Sequence, residues 1–294
     1  MTSRSIVCGL CLVLAGAPAF AQGKSQQNKN KNAGTPAPPS RNDLAAAAPV
    51  APTPTGGATP LAWIDDASLL APGMVSLSLS AMRWAGGGAS EVDAPIVDAA
   101  IGLSPRVQLS ASVPRVVGSG DPEGALGGVG TSFFSAKVQL YESSTHAIKF
   151  AAAPTLQVLG EGVVATLGPD QGRLRWGLPM SAEISHGAVR LYGGGGYFSP
   201  GLWFSGAAVS GQAAEKVFVS VGFSRAWRHS DDPTIPLSER DRNEISGGAA
   251  YVLSPAITLF GSLGHTVKTL AENGAGTSIA CGVSFSFTAQ TPAK

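Results

Sequence analysis

Cysteine is scarce: three residues in 294, and two of them, Cys8 and Cys11, lie in an apolar stretch at the N-terminus. If that stretch is a cleaved leader, Cys281 remains alone, which excludes an internal disulfide framework and leaves a structural thiol on an apolar face. Beyond the N-terminus there is no run of about 18 apolar residues, so transmembrane helices are excluded. Charged residues make up only 13% of the chain and nearly cancel, at a net +1, which gives no reason to expect nucleic acid as a partner. The four histidines show no Cys/His spacing that would hold a metal, and no cofactor motif accompanies them.

The first residues read as an export signal. Arg4 precedes an apolar stretch from Ile6 to Leu14, and Ala19-Phe-Ala21 offers small residues for cleavage before Gln22. A leader is therefore expected over residues 1–21. Cys11 follows Cys8-Gly-Leu, which is not a lipoprotein context. Residues 22–60 are rich first in Lys, Asn, Gln and Ser, then in Ala and Pro, with too little apolar surface to offset the entropy of ordering. They are expected to form a disordered periplasmic arm. Residues 61–72 form a short amphipathic link, so arm and link together span 22–73.

What the chain has in abundance is glycine, 38 residues, and strict alternation. In its last segment Ile279, Cys281, Val283, Phe285 and Phe287 alternate with Ser278, Ala280, Gly282, Ser284 and Ser286. A period of two gives a strand with one apolar face. About ten such residues, tilted, cross a bilayer's hydrocarbon layer, and an aromatic suits the interface at the end. A seven-residue tail, 288–294, completes the chain.

Twelve segments share this habit: 74–85, 92–103, 106–115, 129–141, 146–158, 173–184, 188–198, 201–211, 216–228, 243–253, 256–266 and 277–287. The eighth is ambiguous between Leu202/Phe204 and Trp203/Val209 as its apolar row. Short connections such as Ser104-Pro-Arg106, Ser185 to Gly187 and Ser254-Pro255 alternate with longer ones at 116–128, 159–172, 229–242 and 267–276. The link at Ser199-Pro200 breaks that trend. Short periplasmic turns with longer external loops, and an even strand count, belong to transmembrane barrels. The Leu103-Ser-Pro-Arg-Val-Gln-Leu109 stretch recurs as Leu253-Ser-Pro-Ala-Ile-Thr-Leu259, both on the periplasmic side. Trp84, Tyr141, Tyr197, Trp203, Trp227, Tyr251 and Phe287 lie near strand ends, as interfacial girdles would, whereas Trp176 is mid-strand. The expected fold is all-β: a transmembrane antiparallel β-barrel of about 12 strands over 74–287. The amphipathic link at 61–72 is able to dock in the barrel's lower mouth. Closure removes the edges an open sheet would expose. The alternative is a soluble secreted β-sandwich binding protein.

Two motifs carry a family resemblance over roughly residues 74–287: Gly128-Val-Gly130 followed by Lys137, and Asn243-Glu-Ile-Ser-Gly-Gly-Ala-Ala-Tyr251-Val-Leu-Ser-Pro255 with the strand after it. On these the chain resembles the outer-membrane barrels grouped as putative meta-pathway of phenol degradation, or transporter type. Thr131 stands where that pattern tends to have Asp. The resemblance implies an outer-membrane barrel that passes small organic molecules, hydrophobic or aromatic ones included, and names no substrate.

Catalysis is not expected. His146 and His186 fall at periplasmic turns, His229 opens an outer loop and His265 ends a strand; none shows a carboxylate and serine arranged as a triad requires. The strand parity instead points Asp98, Lys137, Lys149, Arg175, Glu183, Arg190 and Glu244 inward, four basic and three acidic groups. That balance argues against a strong single-sign filter. Glu183, Arg190, Lys149 and Lys137 should lie close together low in the lumen, one carboxylate among three cations. Arg83 and Arg225 fall on the outward parity near the outer ends of their strands, placing them at lipid-headgroup level beside lipopolysaccharide phosphates. The expected partners are outer-membrane lipid and lipopolysaccharide, the barrel-assembly machinery and a small-molecule solute. The expected activity is passive passage of small solutes; the alternative is a non-conducting barrel that anchors a periplasmic tether.

Overall fold

The computed structural model describes residues 64–86, 89–119, 127–161, 163–164, 172–228, 242–269 and 276–288. The expected leader (1–21), the arm over 22–60, His229 and all of the tail after Thr288 lie outside them. The strands are β1 (Met74–Gly86), β2 (Ala89–Ser104), β3 (Val107–Ser119), β4 (Gly128–Val129), β5 (Ser132–Glu142), β6 (Ile148–Ala152) and β7 (Thr155–Val158). They continue as β8 (Leu174–His186), β9 (Val189–Phe198), β10 (Leu202–Ala214), β11 (Val217–Arg228), β12 (Arg242–Ser254), β13 (Ile257–Thr269) and β14 (Thr277–Thr288). Neighbours pair antiparallel around a ring that closes where β1 meets β14, from Met74 opposite Thr288 to Ala85 opposite Thr277. β6 and β7 lie end to end between β5 and β8, as two halves of one stave. Setting β4 aside, the ring is a closed antiparallel barrel of twelve staves.

Several strands run past their expected bounds, β2 starting at Ala89 rather than 92, β3 ending at Ser119 rather than 115, β10 at Ala214 rather than 211 and β13 at Thr269 rather than 266, and two segments differ for backbone reasons. The fourth strand begins at Ser132 rather than 129; Gly127 and Gly128, at φ 83° and 118°, turn the chain so that Gly128–Val129 pairs separately with β3. The segment expected at 146–158 is interrupted at Ala153-Pro154, where proline has no N–H to give the ladder. The break is closed by other means: Ala153 N–H donates to the Pro179 carbonyl at 2.8 Å, and the Pro154 carbonyl accepts from Ala136 N–H at 3.1 Å.

Burial is inverted relative to a soluble sheet. On β8, Leu174, Trp176, Leu178, Met180 and Ile184 are exposed, while Arg175, Gly177, Pro179 and Glu183 are buried. An apolar exterior around a polar interior is what lipid selects. β10 settles its ambiguity the same way: Trp203 and Val209 face outward, and Leu202, Phe204 and Ala208 face in. Trp176, mid-strand by the sequence pattern, is the third residue of β8 and belongs to the exterior. Its ring lies 5.2 Å from that of Tyr197, which lies 5.1 Å from Trp203. Inside, Phe198, Leu202, Phe204 and Ala226 form an apolar cluster toward the long-loop end of β9–β11.

Candidate functional site

The chain does not pass directly from solvent into β1. Residues 64–71 form a strap whose partners are inward-facing groups or backbone on seven consecutive strands of the ring. Ala71 packs at the short-turn end, where its carbonyl would lie 2.3 Å from a Cβ built on Gly102 of β2. Leu70 N–H donates to Gln108 Oε1 of β3 at 2.8 Å. Farther in, Ile64 lies against Gly206 of β10, where an added Cβ would meet its Cδ1 at 2.6 Å. Glycine is needed at both positions because the strap takes the space of a side chain. Since these partners share the inward parity, the strap rises inside the barrel from its lower rim. Ile64, Asp66 and Ala67 are buried there.

Charge holds it. Lys137 Nζ of β5 donates to Asp65 Oδ2 at 2.7 Å and to Asp66 Oδ1 at 3.4 Å. Arg190 of β9 donates from Nη2 to Asp66 Oδ2, and from Nε to Glu183 Oε1 of β8 at 3.1 Å. Glu183 also accepts from Ser68 Oγ at 2.8 Å and from Ser185 Oγ at 3.0 Å. Lys149 of β6 donates to Ser68 Oγ at 2.9 Å, and Ser181 Oγ donates to the Asp66 carbonyl at 3.0 Å. Burial opposes charge on Asp66, but Lys137 and Arg190 together outweigh it and hold its carboxyl below the ordinary 3.8. Asp65 is pushed upward by enclosure, against Lys137 and with Asp66. Half of its side chain stays open, which tempers that push.

The sequence-derived residues divide into three groups. Lys137, Lys149, Glu183 and Arg190 come together, with Lys149 directly opposite Glu183 across β6 and β8. The composition of that cluster differs from expectation: Asp65 and Asp66 join Glu183, and Glu142 stands 3.9 Å from Lys149, so four carboxylates rather than one face the three cations. Arg175, Asp98 and Glu244 also lie on the inward parity but elsewhere. Arg175 is opposite Gln157, Asp98 lies between Ser78 and Ser112, and Glu244 lies between Ser224 and Thr266. Arg83 and Arg225 stand exposed on the outward parity, Arg225 with its guanidinium 5.8 Å from the Trp227 ring centroid.

Histidine needs one correction. His146 does meet a carboxylate, Glu142, at 2.8 Å, because the turn before β6 brings the two together. The pair is exposed at a turn, and the nearby Ser143 hydroxyl accepts from Ile148 N–H and contacts Thr145, so among the described residues Ser143 is engaged elsewhere than at the imidazole. His265 bonds Thr277 on the exterior.

No protein-family model matches the chain, and no curated protein matches it. Solved structures do. The NanC porin superposes with a TM-score of 0.52 at 9% identity, covering 71% of this chain and 98% of that one. The KdgM porin, solved in complex with disordered oligogalacturonate, gives 0.50 at 8% identity over 72% and 99%. The COG4313 outer membrane channel from Pseudomonas putida F1 gives 0.55 at 12% identity over 76% and 98%. At such identities the likeness is one of fold: that of outer-membrane porins and channels.

Proposed function

We propose that this protein is an outer-membrane channel through which small solutes pass passively, with the strap of residues 64–71 as its constriction. One observation carries the reading. The strap is fixed mainly by side-chain ion pairs and hydrogen bonds to the wall, with no strand pairing of its own. A segment held in this way can shift without unzipping the barrel, because the twelve staves close on one another independently of it. The apolar cluster Phe198, Leu202, Phe204 and Ala226 supports hydrophobic or aromatic solutes, as does the resemblance to phenol-pathway barrels. The exposed apolar exterior supports contact with outer-membrane lipid. Arg83 and Arg225 supply guanidinium groups suited to lipopolysaccharide phosphate. Export by the leader and insertion by the barrel-assembly machinery complete the proposal.

A second reading, a non-conducting anchor, is favoured by the same strap if it never leaves. Planar-bilayer recording of the refolded full chain separates the two. Discrete KCl current steps are expected; a folded barrel that passes no current under any condition makes the protein an anchor.

A further inference from the structure

Without the strap, the lower lumen is a cationic pocket. Lys137, Lys149 and Arg190 face it, and among the described residues the carboxylates the wall itself offers them are the buried Glu183 and, at the exposed edge, Glu142, 3.9 Å from Lys149. With the strap docked, Lys137 is 4% exposed, and among the described residues both of its ion-pair contacts are in the strap. A lumen wall with more cations than carboxylates attracts anions, so the pocket calls for one. Asp66 fills that role, placed between Lys137 and Arg190.

The wall changes character just above. Moving up the inward parity, β9 presents Arg190, Tyr192, Gly194, Gly196 and Phe198, and β10 opposite presents Ser210, Ala208, Gly206, Phe204 and Leu202. On β9 Tyr192 follows the charge directly, its ring centroid 5.7 Å from the Arg190 guanidinium, before the glycines and Phe198; on β10 small side chains lead to Phe204 and Leu202. The strap follows the wall upward: Asp66 sits at the cations, and Ile64, two positions along, lies on Gly206. In extended chain two positions span about 6–7 Å. A carboxylate joined to a compact apolar body at that spacing is the outline of a small organic acid.

We propose that residues 64–66 are an internal ligand occupying a site for an organic carboxylate. The solute's carboxylate replaces Asp66 between Lys137 and Arg190, and its apolar body replaces Ile64 against Gly206. Solute and strap therefore compete, and the solute that passes best is the one that displaces the strap. The inference rests on the channel reading and adds to it the solute class and the way the constriction is released.

Phenylacetate and its neutral counterpart phenylacetamide are the probes, applied to the full chain in planar bilayers with KCl current as the readout. Phenylacetate is expected to raise open probability at concentrations where phenylacetamide has no effect. Asp66→Asn removes the competing charge and leaves both cations, so the half-saturating phenylacetate concentration should fall about tenfold, a change of about 1.4 kcal/mol. Lys137→Gln should abolish the difference between the two probes; should that variant fail to show the heat-dependent gel shift of a folded barrel, the Asp66→Asn comparison decides alone. Equal responses to both probes, or an unmoved half-saturation in Asp66→Asn, overturn the inference while KCl current leaves the channel reading standing. Absence of current with either probe overturns both.

Discussion

Arg190 and Asp66 are 124 residues apart in sequence and meet inside the barrel, Nη2 donating to Oδ2, while the same guanidinium donates through Nε to Glu183. One planar fork thus binds a wall carboxylate and a strap carboxylate at once, a geometry lysine cannot offer. Lys137 approaches Asp66 from the other side, through Oδ1. The strap's position is therefore set by two cations on different strands, and what weakens either contact should loosen it.

Acid is the simplest way to weaken both. The Asp66 carboxyl lies below 3.8 when docked, so its contribution to docking is fully present above the undocked value and is lost as pH falls below 3.8 through the docked one. Open probability should stay low from neutral pH down to about 4 and rise below it. The groups facing Asp66 are Lys137, Arg190 and neighbouring Asp65, and the two cations keep their charge across this range. Asp65, shifted the opposite way, binds a proton more readily in the docked strap, so acid acting on it favours docking and opposes opening. An opening midpoint near pH 6 contradicts the assignment to Asp66.

Steric pressure should act without altering charge. A Cβ at Gly102 would lie 2.3 Å from the Ala71 carbonyl and 2.5 Å from that of Leu70, backbone atoms that cannot rotate away. Gly102→Val should therefore push the strap from the wall, at a cost of about 1–3 kcal/mol, typical of overpacking. The expected result is a higher basal KCl conductance with the heat-dependent gel mobility of the barrel retained. Parent-like conductance from a folded Gly102→Val barrel would show that the strap does not set the constriction.

The exterior makes a separate prediction. Val221 is 60% exposed near the middle of β11, and Arg225 is exposed toward its outer end beside Trp227. Val221→Arg should destabilise the barrel by about 2–4 kcal/mol, whereas Arg225→Leu should change stability by no more than about 1 kcal/mol. Denaturant titration of the protein folded in lipid vesicles measures both. Comparable costs for the two variants would mean that Arg225 is not at headgroup depth.

Much of the barrel was legible because alternation encodes it directly. On β8 the row Leu174/Trp176/Leu178/Met180 specifies the face that meets lipid, and the opposite row then places Arg175 and Glu183 inside. Docking of the link in the lower mouth was an open expectation, but the strap's path and partners were not legible, since Ile64-Asp-Asp-Ala-Ser-Leu-Leu-Ala71 has no period and its partners come from seven strands. A signal was nonetheless present. The cluster read from parity had three cations and one carboxylate, and Asp65-Asp66, just before the first strand, are the two charges needed to balance it. The break in the fifth stave was also signalled, by Pro154 within an otherwise continuous strand pattern.

Glu183 offers the sharpest test of that charge balance. It is 3% exposed and accepts from Ser68, Ser185 and Arg190, joining strap, turn and wall. Glu183→Gln keeps an acceptor oxygen and nearly the same volume but removes one of the carboxylates that face the three cations. Loss of a charge-assisted hydrogen bond typically costs about 1.5–3 kcal/mol, here divided between Arg190 and Ser68. Arg190 retains Asp66, so the strap should stay docked at neutral pH and the barrel should fold. What should change is the field along the pore: reversal potentials in a KCl gradient should move toward chloride selectivity, and the shift should shrink at high salt, where charges more than about 3 Å apart are screened at 1 M. If neither selectivity nor single-channel conductance moves, the cluster lies off the conducting path. The strap contacts would then serve only to anchor residues 64–71.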